Sequence, residues 1–163
     1  MEIDLTSIII GIVALSTFFI PIGIHEFSQK FKLKKTRKSF DDAAKVYDLH
    51  IDNMEVLRNG FAIGIDTQNH CILHLKNQKE TVIELDDIQN CKLFKDLRSE
   101  TADDGTKLHT VRMGIHIIFK QNRSLEIKLP LFEGKEGSIF GDEEATIQRW
   151  IYKIHSVLKE SIK

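Results

Sequence analysis

Residues 125–160 read LEIKLPLFEGKEGSIFGDEEATIQRWIYKIHSVLKE, and the spacing of their apolar side chains changes partway along the stretch. In residues 125–129 apolar and polar side chains alternate, a period of two that indicates a β-strand. Beyond residue 141 the apolar side chains recur at helical spacing, and they are Ile147, Trp150, Ile151, Ile154, Val157 and Leu158. This change of period predicts a last strand followed by an amphipathic helix.

The ends and faces of this helix follow from its polar residues. Asp142 stands where a capping side chain is favoured, and acidic residues follow it in the first turn. Trp150 lies in the middle of the apolar stripe and is expected to be buried. Lys153 and Lys159 fall off the stripe and are expected to tolerate substitution.

Upstream of this helix, the alternation of period two is repeated several times. Strands are predicted at residues 61–65, 71–75, 81–85, 88–95, 108–120 and 125–129, with polar turns between them. The segment SETADDGTK (99–107) is expected to be an exposed loop. The fold class is therefore α+β, mainly β. Six to seven strands form a meandering antiparallel sheet or partial barrel, closed by the C-terminal amphipathic helix.

The N-terminal stretch LTSIIIGIVALSTFFIPIGI (5–24) contains no charged residue. As a helix its twenty residues extend roughly 30 Å, which matches the hydrocarbon core of a bilayer. A cleaved signal peptide would carry a positive N-terminal region and a small-residue cleavage site, whereas Met1–Asp4 is acidic and no such site follows. A fully buried core helix is the other alternative. Residues 1–25 are therefore predicted to be an uncleaved transmembrane anchor.

A basic run follows the anchor, and it sets the expected topology. The run consists of Lys30, Lys32, Lys34, Lys35, Arg37 and Lys38. Because such residues stay on the cytoplasmic side, the N-terminus is expected outside and the rest of the chain in the cytoplasm, as in a single-pass protein of the cell membrane. The same six side chains are candidates for contact with anionic lipid. Residues 26–58 are read as a basic juxtamembrane segment and connector, with a short helix near Ala43.

Charge and composition exclude several other classes of function. Residues 40–163 hold 17 Lys and Arg against 21 Asp and Glu, which argues against nucleic acid as a partner. Cys71 and Cys91 are interpreted as a pair of buried thiols. His70 and His74 are interpreted as surface histidines, too far apart on a strand to share a metal. No catalytic group, cofactor site or small-molecule substrate is indicated.

The order of elements resembles the pleckstrin-homology-like fold, a bent antiparallel sheet with a C-terminal helix over one open end. Trp150 matches a tryptophan that recurs in that helix, and the resemblance assigns residues 59–163 to such a domain. The segment starting at Gly60 also resembles bacterial membrane-anchored proteins. Lipid-binding members of the fold carry Lys and Arg around the first hairpin. Here the first strong hairpin turns through Asp66–Asn69, so the resemblance implies a protein or peptide partner instead.

Together these observations predict a membrane-tethered, non-enzymatic interaction module on the cytoplasmic face. An accessory or structural subunit of a membrane complex is the alternative, since Gly11, Ala14 and Ser16 give the membrane helix a close-packing surface. An enzyme with an unrecognised site is a third, less favoured interpretation.

We predict that residues 5–24 stay in the bilayer, because their uncharged length suits its core. Extraction with alkaline carbonate should leave the full-length protein in the membrane pellet, with its N-terminal residues intact by mass spectrometry. A C-terminal reporter that works only in the cytoplasm should be active in the same cells. Release into the carbonate supernatant, or a mature N-terminus beyond residue 24, would contradict the anchor.

Overall fold

The fold is α+β and mainly β, as the change of period predicted. The computed structural model of the protein describes residues 28–57, 60–102, 105–120, 125–134 and 141–160. The strands are β1 (Asn53–Val56), β2 (Phe61–Asp66), β3 (Cys71–Lys76), β4 (Lys79–Glu84), β5 (Ile88–Ala102), β6 (Gly105–Phe119) and β7 (Glu126–Glu133). The helices are α1, described from residue 28 to residue 46, and α2 (Glu143–Glu160).

The seven described strands form two antiparallel sheets. The first sheet has the order β1-β2-β3-β4 and the second has the order β5-β6-β7, so neighbours in sequence are neighbours in space. A 3-10 helix (Leu85–Asp87) lies between β4 and β5 and separates the two sheets. The predicted meander is confirmed, but it is divided into two sheets at this point.

Two segments differ from the sequence prediction. Strand β1 lies within the stretch read as a connector, because its four residues are too few to display an alternating pattern. Residues 99–102 and 105–107 are not a loop. Their backbone pairs across a long hairpin, with Ser99 opposite Leu108. Polar composition predicts exposure to water, but it does not prevent backbone pairing.

The main core lies between the two sheets and α2. From the first sheet, Phe61, Ile63 and Ile65 point into it. The apolar stripe of α2 meets them and the core face of the second sheet; its buried members are Ile147, Trp150, Ile151 and Ile154. The helix face predicted from spacing is confirmed. Asp142 caps the helix through its backbone, since its carbonyl accepts a bond from the Thr146 N–H at 3.0 Å.

Trp150 is the largest fully buried side chain, and it also links α2 to the first sheet. Its Nε1–H donates a hydrogen bond to Glu55 Oε2 on β1 at 2.7 Å, and Arg149 pairs with the same carboxylate at 3.0 Å. Lys153 was expected to lie apart from the core. Instead its ammonium lies 4.7 Å from the centre of the Trp150 ring, because one helical turn brings the two side chains together.

The other face of the first sheet is covered by α1. Phe40, Ala43 and Ala44 pack on the side chains that alternate with the core-facing ones, which are Ala62, Leu73 and Leu75. At Gly64 a Cβ atom would lie 2.7 Å from Phe40 Cζ, so glycine is needed there for the helix to approach. The short helix predicted near Ala43 is thus the end of a longer helix packed on the sheet.

The end of α1 turns the chain towards β1. Asp48 adopts a left-handed conformation with φ 51°, and Leu49 N–H donates to Ala44 O at 2.8 Å. This 6→1 bond is the Schellman arrangement, which satisfies carbonyls left open at a helix end. Leu49 packs against the same apolar cluster as Phe40.

The predicted membrane segment, residues 5–24, lies outside the described residues. Within the part of the chain that the structure describes, no helix is long and apolar enough to cross a membrane.

Replacing Trp150 with Ala should lower the free energy of unfolding by about 3–5 kcal/mol, because it empties a large site in the core. Lys153→Ala should cost about 0.5–1 kcal/mol, through loss of the contact with the Trp150 ring. Lys159→Ala is the matched control, since Lys159 is exposed on the same helix. Thermal unfolding of the full-length protein, followed by circular dichroism, measures all three. A loss for Lys159→Ala as large as that for Trp150→Ala would show that the helix face is misassigned.

Candidate binding cleft

A cleft of about 390 Å³ opens where the β3–β4 hairpin of the first sheet faces the second sheet. Its lining combines cationic side chains with an apolar floor. The lining residues are His74, Lys76, Lys79, Thr81, Phe94, Asp96, Arg112, Ile127, Lys128, Leu129 and Pro130. They come from five strands, and the most distant positions are more than fifty residues apart in sequence.

Four cationic side chains line the cleft, and three of them are held by carboxylates. Asp96 accepts bonds from Arg112 Nη2 at 2.6 Å and from Lys128 Nζ at 3.2 Å. Burial raises the pKa of the Asp96 carboxyl, but the bonds from Lys128 and Arg112 outweigh it and hold the pKa below its usual value. Lys76 pairs with Glu133 at 2.5 Å.

Lys79 differs from the other cations of the cleft. It is exposed at the start of β4, and its side chain forms no ion pair or hydrogen bond within the described residues. Four cations therefore face the two carboxylates of Asp96 and Glu133, and the cleft carries excess positive charge.

The floor of the cleft is apolar. Phe94 is only 8% exposed, and the Lys128 ammonium lies 5.3 Å from the centre of its ring. Beside it lie Ile127, Leu129 and Pro130 of β7. Pro130 lies on β7, an edge strand of the second sheet, which is one of the places where a sheet tolerates proline.

A bulge in β7 gives this floor its shape. Met113 pairs with Phe132 while the next residue, Gly114, pairs with Pro130, so one residue of β7 is left over. At Gly114 a Cβ atom would lie 2.0 Å from Leu129 O, a distance that no side chain permits. Glycine at this position lets the two backbones approach and fixes where Pro130 meets the first sheet.

His74 joins the two sheets at the base of the cleft, and its interpretation as a surface histidine is wrong. The side chain is buried, and its Nε2 lies 2.9 Å from Pro130 O. Burial lowers the pKa of His74 more than the Pro130 carbonyl raises it, so the ring is neutral at pH 7 and donates one hydrogen bond. His70 lies in the preceding turn with φ 50°, and its Nδ1 is 3.3 Å from Asp86.

Cys91 on β5 and His155 on α2 lie in contact, a pairing that the sequence did not suggest. Cys91 Sγ is 3.4 Å from His155 Nε2, which is also 3.3 Å from Asn90 Oδ1. Burial raises the pKa of Cys91 to about 12, so the thiol stays protonated at pH 7 and is not an activated nucleophile. Cys71 is only partly buried.

The six basic residues predicted as lipid contacts all lie exposed on α1. They are not part of the cleft. Helix α1 covers the face of the first sheet that carries Leu73 and Leu75, whereas the cleft is lined by His74 and Lys76, which point to the opposite face. Lys35 lines a separate, smaller cavity of about 110 Å³ beside α1. Among the described residues, no group of three His, Cys, Asp or Glu is placed to hold a metal ion.

The turn between β2 and β3 is organised by Asp66, a buried carboxylate. Its oxygens accept bonds from the backbone N–H of His50 at 2.6 Å, Gln68 at 2.9 Å and Asn69 at 2.8 Å. The side-chain amide of Asn69 adds a fourth bond at 2.9 Å. Asp52 binds the backbone and hydroxyl of Thr67 in the same turn. The turn is thereby fixed to the segment that joins α1 to β1.

The titration of Asp66 follows from these bonds. Burial raises the pKa of its carboxyl, but the bonds from Asn69, His50 and Gln68 together lower it more, and the pKa lies below the usual 3.8. A carboxyl with a lowered pKa contributes stability above its unfolded pKa, and that stability is lost as the pH falls through the folded pKa.

Asp66→Asn should therefore lower the free energy of unfolding at pH 7 by about 1.5–3 kcal/mol, since it removes a charged acceptor. The difference from wild type should persist down to about pH 4 and shrink below it, as Asp66 becomes protonated. Chemical denaturation followed by Trp150 fluorescence at a series of pH values measures both. Asp41→Asn, an exposed change on α1, is the control. A deficit that stayed constant to pH 2 would rule out the proposed charge effect.

Comparison of the chain with protein-family models, curated proteins and solved structures finds no match, so its function is argued from its own geometry.

Proposed function

We propose that this protein is a membrane-tethered, non-enzymatic interaction module whose domain lies at the cytoplasmic face and binds a protein or peptide partner. The packing of α1 on the first sheet carries the proposal. Phe40 is completely buried there, so the helix that bears the basic run is part of the folded domain. A partner bound by the domain would be held at a defined place relative to the membrane.

The faces of α1 support this orientation. Lys30, Lys34 and Lys38 recur every four residues and share one exposed face. Thr36, Phe40 and Ala43, which pack on the sheet, lie on the opposite face of the helix. The basic face is therefore available to anionic lipid, which attracts each such cation by about 1 kcal/mol. Positive charge at this position also supports the cytoplasmic location of the domain.

We also propose that the domain belongs to the pleckstrin-homology-like fold. The order of antiparallel strands, followed by a C-terminal helix with the buried Trp150, supports this assignment. The first two strands, β1 and β2, contain no Lys or Arg. This composition favours a protein or peptide partner over a specific lipid headgroup.

Binding suits the cleft better than catalysis does. Its charged groups neutralise one another in part and lie beside apolar side chains of the same cleft. A few polar groups next to apolar surface are typical of a site that orients a ligand. The thiol and imidazole that lie together, Cys91 on β5 and His155 on α2, do not line the cleft, and burial raises the pKa of the thiol to about 12.

A photo-crosslinking experiment in intact cells tests the proposal. An aliphatic diazirine amino acid is placed at Thr81 in the cleft, at Gln148 on the exposed face of α2, or at Ala14 in the predicted membrane segment. We expect a protease-sensitive adduct from Thr81 and none from Gln148. An adduct from Ala14 alone would favour the accessory-subunit alternative, because the membrane helix would then be the contact surface. Equal adducts from Thr81 and Gln148 would argue against a specific binding site.

A further inference from the structure

We infer that the cleft binds an acidic peptide segment that also carries an apolar side chain. This inference rests on the proposed interaction function and names the site and the chemistry of the partner. Three features of the cleft support it: its excess positive charge, the pairing of three of its four cations with carboxylates, and its apolar floor.

The excess charge selects an acidic partner. Lys79 projects into the cleft without a partner among the described residues, and two further cations share the one carboxylate of Asp96. A carboxylate entering the cleft would meet more positive than negative charge. Complementary potentials of this kind raise the rate of encounter and set the orientation of the ligand.

Two of the cations, Arg112 and Lys128, are already placed for this contact. Arg112 uses Nη2 to bind Asp96, and its guanidinium has other N–H donors in a fixed planar fork. The side chains of Arg112 and Lys128 are 50% and 54% exposed, so both can donate hydrogen bonds to a second carboxylate. Because Asp96 already restricts these side chains, less conformational entropy is lost on binding.

The apolar floor distinguishes a peptide from a simple anion. Ile127 and Pro130 are only partly buried and offer apolar surface beside the cations, next to the largely buried ring of Phe94. A bare phosphate would leave this surface without a contact, whereas a side chain such as leucine next to a glutamate would cover it. The cleft volume of about 390 Å³ lies within the range of ligand sites in proteins and accommodates a few residues of an extended chain.

The basic face of α1 is a separate surface on the other side of the first sheet, so peptide bound there would not depend on Lys79. Nucleic acid is a poorer match, because two excess positive charges are few for a phosphate backbone. The geometry therefore favours a short acidic and apolar segment of a protein.

The test uses the full-length protein in nanodiscs of neutral phosphatidylcholine. The probe is a fluorescein-labelled octapeptide of alternating Glu and Leu, and its fluorescence anisotropy is measured during titration with protein. We expect saturable binding that weakens as salt is raised from 50 to 300 mM, because the contact is ionic. Lys79→Glu should weaken binding about tenfold, since it turns an attraction into a repulsion.

Two controls address folding and specificity. Lys159→Glu reverses a charge of the same type on the exposed part of α2 and should leave the affinity unchanged. Lys79 is exposed, so its variant should keep the circular dichroism and Trp150 fluorescence of the wild type. Octapeptides with Gln in place of Glu, or with Ser in place of Leu, should both bind more weakly than the probe.

The inference is overturned if the probe does not bind, or if Lys79→Glu and Lys159→Glu have the same effect. Equal affinity for the Ser-containing octapeptide would overturn the role of the apolar floor, and displacement of the probe by 1 mM inorganic phosphate would identify a simple anion site. Any of these results, together with a Thr81 adduct in cells, would remove the acidic-peptide inference while leaving the proposed function standing. Absence of the Thr81 adduct would count against the proposed function itself.

Discussion

Both faces of the centre of the first sheet, strands β2 and β3, are shielded from water, and this constraint places the elements that pack around it. Strand β2 is buried along its whole length. Its odd-numbered side chains enter the main core, and its even-numbered ones face α1. A sheet with two apolar faces must bury both of them against other elements. Helix α1 packs on one face, and the second sheet together with α2 packs on the other. Because Gly64 has no side chain, α1 can pack closely against this face of the sheet.

Much of this fold can be predicted from the sequence, because the alternating strands and the stripe around Trp150 depend on local spacing alone. The long helix α1 was harder to predict. Its apolar face is reduced to Phe40 and two alanines, while exposed lysines dominate the composition of the segment. Strand β1 is too short to show a period, and the polar distal part of the β5–β6 hairpin suggests a loop although its backbone is paired.

The candidate cleft could not be predicted in the same way. Its features arise from pairs far apart in sequence, such as His74 with Pro130 and Lys76 with Glu133. Nothing near Lys79 in the sequence distinguishes it from other surface lysines. What distinguishes it is the second sheet opposite, which brings Asp96 with its two cations and the ring of Phe94 to the same place. The network around Asp96 holds Arg112 and Lys128 in position before any ligand arrives.

The docking of α1 has a consequence for the direction of its basic face. A helix turns by about 100° and advances about 1.5 Å with each residue. One residue inserted between Lys30 and Phe40 would rotate the basic face by about 100° relative to the sheet on which Phe40 packs, whereas an insertion into a flexible tether would only lengthen it. The angular phase of this helix, as well as its length, thus sets the direction in which the basic face points from the domain. The helix is a rigid spacer that fixes both the distance and the angle between the basic run and the folded domain.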